Sequence, residues 1–238
     1  MHIDKLVVHN EKFPGVDRYP FNLEVLQRTP EVPFDSPVTF FIGENGTGKS
    51  TLLRAMCIRA GIHIWEGRFT PRAEHNPYEK SLYQAVSVRW SAGRVPGSFF
   101  GSELFRNFSK LVDEWAASDP GVLEYYGGRS LLSQSHGQSL MAYFKARFSR
   151  RGVFLLDEPE TALSPRSQIG LLRLLHEAGE RGAAQFVVAT HSPILMACPG
   201  AAIWSFDHVP VRRLEYRETD HYRLYRDFLN SPEGFLGL

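Results

Sequence analysis

Three short stretches of the chain are apolar at almost every position: Val38 to Ile42, Val153 to Leu156, and Phe186 to Ala189. Such continuous runs mark strands buried on both faces, as in a parallel sheet covered by helices. Elsewhere the period changes. Ile3 to His9 alternates and is rich in β-branched residues, which predicts a half-buried first strand. Phe21 to Leu26 alternates too and predicts an antiparallel edge strand paired with the first. Asn10 to Arg18 reads as a loop, and three prolines between Thr29 and Pro37 lead into the first buried run. Tyr83 to Trp90 alternates as a strand does, Glu74-His75-Asn76-Pro77 reads as a turn, and Gly93 to Gly101 is turn-rich around Phe99-Phe100. Ile203 to Phe206 and Val211 to Tyr216 predict a closing hairpin.

Helical spacing appears in Thr51 to Met56, in Glu103 to Ala117, in Ser139 to Ser149, and from a cap at Ser164-Pro165-Arg166 to about Gly179. His221 to Asn230 is a short amphipathic helix with Tyr222, Tyr225, Phe228 and Leu229 as its packing face. Together these elements predict an α/β fold in a single domain over residues 1–238. It has a mostly parallel core sheet, an N-terminal antiparallel β element, and a small, partly helical lobe inserted at about 60–130. No heptads or internal repeats occur, so no coiled-coil arm interrupts the domain.

The chemistry is concentrated after the buried runs. Val38 to Ile42 is followed by Gly43-Glu44-Asn45-Gly46-Thr47-Gly48-Lys49-Ser50-Thr51 and then by a helix. Strand, Gly-x4-Gly-Lys-Ser and helix form the context of a phosphate-binding loop and a P-loop NTPase fold. The glycines let backbone N–H groups converge on an anion, and the helix N-terminus adds partial positive charge. Lys49 reaches the β- and γ-phosphates, and the Ser50 hydroxyl ligates Mg²⁺. The second buried run ends in Asp157-Glu158, where open α/β sheets bind ligands. Asp157 there is suited to hold Mg²⁺, and Glu158 to polarise the attacking water. The third ends at His191, read as a γ-phosphate contact. Ser135-His136-Gly137-Gln138 opens a helix, and two readings stand: a second anion-binding N-terminus or an ordinary cap. Phe13, Tyr19 and Phe21 lie upstream of Lys49; either one of them stacks on adenine or all are packing aromatics.

Composition changes this picture little. A net charge of +1 argues neither for nor against DNA as a partner, since pairs such as Arg150-Arg151 and Arg212-Arg213 can form a local patch. Two separated cysteines and nine unclustered histidines exclude a zinc site and fit a reducing compartment. With no signal peptide and no membrane-length apolar run, the expectation is a cytoplasmic protein without membrane contact of its own.

The order phosphate loop, Ser-x-Gly-Gln before a helix, apolar strand–Asp–Glu, strand–His resembles the ATP-binding-cassette ATPases over nearly the whole chain. Gly43 to Ser50 matches the Walker A motif and Val153 to Glu158 the Walker B motif with its catalytic Glu. Ser135-His136-Gly137-Gln138 resembles the signature motif, with Gln134 in place of Leu and His136 in place of the first Gly. Thr161-Ala162-Leu163-Ser164 resembles the D-loop, with Ser164 where Asp is usual, and Glu103 or Gln84 stands for the Q-loop glutamine. The resemblance implies ATP and Mg²⁺ as cofactors, catalytic roles for Glu158 and His191, and an ATP-dependent homodimer. In that dimer Ser135, Gly137 and Gln138 touch the nucleotide held by the second copy. Asp-Glu-Pro-Glu, Ala-Thr-His-Ser-Pro and the Ile3 to Phe13 opening look like the soluble, non-transporter branch. That branch holds chromosome-maintenance and repair ATPases and stand-alone AAA-type ATPases. The implied function is nucleotide-driven switching by ATP hydrolysis. The alternatives are an ATPase subunit of a membrane transporter and an ATP-sensing module with little turnover. A GTPase is disfavoured because no Asn-Lys-x-Asp element occurs.

Overall fold

The three buried runs lie side by side. The computed structural model describes residues 1–65, 76, 78–126, 128–133 and 135–236, leaving aside the side chain of residue 106. In chain order the elements are β1 (Ile3–Val8), α1 (Glu24–Arg28), β2 (Glu31–Pro33), β3 (Val38–Ile42), α2 (Lys49–Arg59), β4 (Val86–Trp90), β5 (Gly97–Gly101), α3 (Ser102–Ser118), α4 (His136–Phe148), β6 (Gly152–Asp157), α5 (Pro165–Glu180), β7 (Ala184–Ala189), α6 (Pro193–Met196), β8 (Ala202–Ser205), β9 (Arg212–Leu214), α7 (Asp220–Asn230) and α8 (Pro232–Leu236).

The main sheet has the order β5-β6-β7-β3-β8-β9 and is parallel except at β9, which pairs antiparallel with β8. Its apolar runs feed two cores at once. Val153 and Leu155 of β6 and Val187 of β7 pack on the side of α2, with Leu52, Leu53 and Met56. Phe154, Leu156, Phe186 and Val188 pack on the other side, with Phe144 of α4 and Leu171 and Leu175 of α5. Side chains alternate across a strand, so a strand covered on both faces must be apolar throughout.

A second sheet, β2-β1-β4, is antiparallel. It is fastened to the main sheet by the buried side chains of Gln185 of β7 and of His2, whose Nε2 lies 2.9 Å from the Ala183 carbonyl oxygen; Gln185 makes the most bonds. Its Oε1 accepts the N–H groups of His2 and Ile3 at 2.8 and 2.7 Å, and its Nε2 donates to the Ile3 carbonyl at 2.9 Å. A buried polar group costs stability unless paired, and here both ends of the amide are paired.

Several elements differ from the sequence pattern. Phe21 to Leu26 is not a strand: the chain turns and forms α1. What is buried is Phe21, Val25 and Leu26, a helical spacing, while both edges of β1 are taken by β2 and β4. Gly93 to Gly101 is more than a turn, because its second half is β5, hydrogen-bonded parallel to β6. The glycines hid it. A Cβ on Gly97 would lie 2.4 Å from Ile62 Cδ1 and 2.8 Å from the Val153 carbonyl oxygen, so close packing explains the glycine. Tyr83 to Trp90 starts with a 3-10 turn over Leu82–Ala85 before β4 begins. The segment read as an inserted lobe supplies β4 to the second sheet and β5 to the main one; its remaining helical part is α3 and the 3-10 turn Pro120–Tyr126. The face of α7 expected to pack is exposed instead: Tyr225, Phe228 and Leu229 are 51%, 43% and 72% exposed. The helix meets the body at its first turn, through Tyr222 against Tyr216 and His221 against His191. The turn expected at 74–77 lies outside the described residues except for Asn76. Among the described residues no helix is long and apolar enough to cross a membrane.

Gln185→Leu should strip partners from two buried N–H groups and one carbonyl, costing on the order of 2–4 kcal/mol. Urea unfolding checks this; an unchanged midpoint contradicts the fastening role.

Candidate functional site

The ends of β6, β7 and β3 are level. Asp157 and Phe41 both lie opposite Ala189 in the parallel ladder. The register continues past the strands: Glu158 N–H donates to Ala189 O at 2.9 Å, and Thr190 N–H to Phe41 O at 3.1 Å. The loops that follow the three strands therefore leave from one edge of the sheet, where α/β folds place their ligands.

The loop after β3 curls through glycines. Gly43, Gly46 and Gly48 have φ of +138°, +82° and +100°, which side-chain-bearing residues rarely adopt. Gly48 caps α2, so Lys49, Ser50 and Thr51 form its first turn. Glu44, Asn45 and Gly46 form an exposed rim, with Thr47 half-buried. Lys49 is buried, and its Nζ donates to the carbonyls of Gly43 and Glu44, both at 2.7 Å. Burial pushes its pKa down, against the pull of Asp207, Glu158, Asp157 and Glu44. Ser50 Oγ donates to Asp157 Oδ1 at 2.6 Å. Burial raises the Asp157 pKa, opposed by that hydrogen bond and by Arg54, whose Nε is 3.6 Å from Oδ2. This pair of hard oxygen donors beside a phosphate cradle fits Mg²⁺ and not a soft metal. Arg54 also ion-pairs with Glu103 at the start of α3, which brings Glu103 to this edge. Gln84 is exposed and bonds to Tyr83. Tyr19 is exposed with its hydroxyl 2.6 Å from Thr51 Oγ1, whereas Phe21 is buried against Phe13.

Glu158 stands at φ +48°, in the left-handed region where a residue with a Cβ is strained by about 1–2 kcal/mol. The strain turns the chain sharply after β6 and leaves the carboxylate half-buried beside His191, with Oε1 at 3.9 Å from Nε2. That Nε2 is buried and has no hydrogen-bond partner among the described residues. Burial, then nearby Lys49, lowers the His191 pKa. Its backbone is held by Glu160, whose Oε1 accepts the His191 N–H at 2.7 Å. Ser192 Oγ donates to Gln168 Oε1 at 2.6 Å, and Gln168 Nε2 to Leu163 O at 3.0 Å. The loops after β6 and β7 are thus one hydrogen-bonded unit.

Ser135 caps α4: its Oγ accepts from Gln138 N at 3.4 Å, and Gln138 Oε1 accepts from Ser135 N at 3.3 Å. Ser135, His136 and Gln138 are exposed and Gly137 is half-buried; Gln134 lies outside the described residues. A Cβ on Gly137 would lie 3.4 Å from the Ala162 carbonyl, so this helix start abuts the 161–164 loop. Ser164 caps α5 by accepting from Ser167 N at 3.3 Å, which gives serine a structural use at that position.

Four residues at this edge carry no sequence signal that singled them out. Arg54 lies one turn beyond Ser50 on α2, a spacing that was readable once the helix was assigned. Glu160 is two positions past Glu158 in the same acidic run. Asp207 accepts the Glu44 N–H at 2.8 Å, and His221 packs its ring against His191, with centroids 5.7 Å apart; both arrive by tertiary folding alone.

The chain matches two family models, "AAA domain" over residues 22–59 and "AAA domain, putative AbiEii toxin, Type IV TA system" over 103–197. It is similar to the hemin import ATP-binding protein HmuV of Pseudomonas aeruginosa, 32% identical over 62% of this chain and 64% of that protein. It is also similar to the thiamine import ATP-binding protein ThiQ of Ruegeria sp., 30% identical over 64% of this chain and 69% of that protein. The chain spans 63%, 64% and 62% of the curated relatives it matches first, less than two thirds of their length. In fold it is similar to cbiO1 from Clostridium perfringens, part of the ABC transporter complex cbiONQ. There the TM-score is 0.51 and the identity 16%, with both chains covered fully, 100% each.

Glu160 makes a pH prediction. Burial raises its pKa above the ordinary 4.5. The unfolded chain therefore loses this proton first, and stability falls as pH rises from about 4.5 through the higher folded value. Glu160→Gln keeps an oxygen for the His191 N–H and removes that loss. Its melting temperature should exceed that of the wild type by more at pH 7.5 than at pH 4; an equal difference at both contradicts the assignment.

Proposed function

The chain belongs to the ATP-binding-cassette ATPase family, and from that premise we propose that it binds ATP in the cradle after β3 and hydrolyses it to ADP and phosphate. The observation that carries this reading is the level edge where Lys49, Asp157, Glu158 and His191 meet. Lys49 exchanges its two carbonyl partners for β- and γ-phosphate oxygens, a stronger, charge-assisted pairing. The N–H groups from Gly46 to Thr51 add a cradle of fixed dipoles. Ser50 and Asp157 would hold Mg²⁺, which when bound offsets phosphate charge. The Glu158 carboxylate orients a water on the γ-phosphorus and takes its proton. His191, fixed by Glu160, donates from Nε2 to a γ-phosphate oxygen. Tyr19, exposed beside Thr51, is the aromatic suited to the adenine. Glu103 takes the place of the Q-loop glutamine, supported by its ion pair with Arg54.

The site is completed by a second copy. The exposed Ser135 and Gln138, with the half-buried Gly137 between them, face the nucleotide of the partner in an ATP-dependent homodimer. The γ-phosphate is the anionic end of ATP, and a second helix N-terminus with a hydroxyl excludes water from it. Hydrolysis removes this bridge and loosens the dimer, which makes the protein a switch, working in the cytoplasm on a partner that the site chemistry does not specify. DNA has no support in the net charge of +1. The names of the curated relatives favour a second reading, the ATPase subunit of an importer; copurification with a multi-span protein would distinguish it. A sensor without turnover leaves the strained Glu158 without a use.

Lys49→Ala should lose ATP binding while keeping the fold, because it removes the buried cation from the cradle. Calorimetry checks this, and an affinity within a few-fold of wild type contradicts it. Glu158→Gln should bind ATP, turn it over about 10²–10⁴-fold more slowly, and accumulate as a dimer. Adding Ser135→Arg should return that protein to monomer with ATP still bound, at a helix-cap cost of about 1 kcal/mol. Light scattering on both variants with ATP and Mg²⁺ reads the outcome; a Glu158→Gln protein that stays monomeric at saturating ATP rules out the shared site.

A further inference from the structure

His191 has a neighbour that the motifs do not supply. His221 is the second residue of α7, is half-buried, and lies with its ring centroid 5.7 Å from that of His191, the planes inclined at 48°. The charged groups that face it are Asp207, Glu44, Lys49 and Asp220, with the His191 ring beside them. Two of these belong to the phosphate loop itself, and Asp207 is bonded to its rim through the Glu44 N–H. His221 therefore stands at the mouth of the cradle, on the side of the γ-phosphate residues. Its position is built. Thr219 is fully buried at the helix cap, where it accepts from Tyr222 N at 3.2 Å and donates to Tyr216 O at 2.8 Å, and the Tyr216 and Tyr222 rings are in contact.

We propose that His221 is a second nucleotide-contacting histidine, whose imidazole N–H donates to a γ-phosphate oxygen alongside His191. The proposal rests on the ATP reading above and adds a residue from outside the four motifs. Burial lowers the pKa of both imidazoles, which favours the neutral, N–H-donating form of each beside the Lys49 cation. A γ-phosphate supplies acceptor oxygens for both rings; ADP supplies none at this position. The contact would also tie the first turn of α7, and with it the exposed Tyr225, Phe228 and Leu229 face, to the presence of the γ-phosphate.

The test compares calorimetric affinities for AMP-PNP and ADP, each with Mg²⁺, in wild type, His221→Ala and His221→Gln. A hydrogen bond to a charged group implies that His221→Ala weakens AMP-PNP binding by about tenfold or more and leaves ADP binding within about twofold. Unchanged ADP affinity also shows that the variant is folded. His221→Gln keeps an N–H donor and should recover part of the AMP-PNP affinity. Equal losses for both nucleotides, no loss for either, or tighter AMP-PNP binding in His221→Ala overturns the proposal alone. A wild-type protein that binds neither nucleotide overturns the ATP reading and this proposal with it.

Discussion

Asp157 and Phe41 sit opposite the same residue, Ala189, and that parallel register governs the rest of the site. A slip of one residue in the β6–β7 ladder would exchange the faces of Val153 and Leu155 with those of Phe154 and Leu156. The apolar packing that excludes this slip also brings Gly43, Glu158 and Thr190 to one edge. Fold stability and site geometry are therefore the same constraint: the side chains that bury the sheet set the register, and the register sets which loops meet.

At that edge the phosphate cradle is held by internal bonds, while the buried His191 Nε2 is left without a partner among the described residues. Lys49 bonds to the Gly43 and Glu44 carbonyls, Ser50 to Asp157, and Asp207 to the Glu44 N–H. Buried polar groups require partners, and these internal bonds keep the cradle formed. Nucleotide binding exchanges them for phosphate contacts, so the net gain is a difference between two sets of charge-assisted bonds. Glu160, Gln168 and Ser192 serve another purpose: they hold the two loops after β6 and β7 as one piece, so His191 and Glu158 keep their spacing.

What was legible in the sequence was local. The three apolar runs, the phosphate loop, the Asp157-Glu158 pair and the caps at Ser135 and Ser164 each depend on neighbours within a few residues. What was hidden depended on distant ones. Phe21 to Leu26 alternates as a strand does, yet the edges of β1 were filled by Glu31–Pro33 and Val86–Trp90. Gly97–Gly101 looks like a turn because its glycines answer to Ile62 and the Val153 carbonyl, not to a loop. The amphipathic pattern of α7 is real, but no pattern states whether such a face is covered, and here Leu229 is open. Asp207 and His221 reach the cradle only because β8 lies next to β3 and α7 returns over the His191 loop.

Phosphate release from ATP, followed in the wild-type protein with Mg²⁺ across a range of protein concentrations, tests the central claim most directly. The account predicts steady release that depends on Mg²⁺ and rises per chain as concentration favours the paired state. Absence of release at every concentration would contradict it.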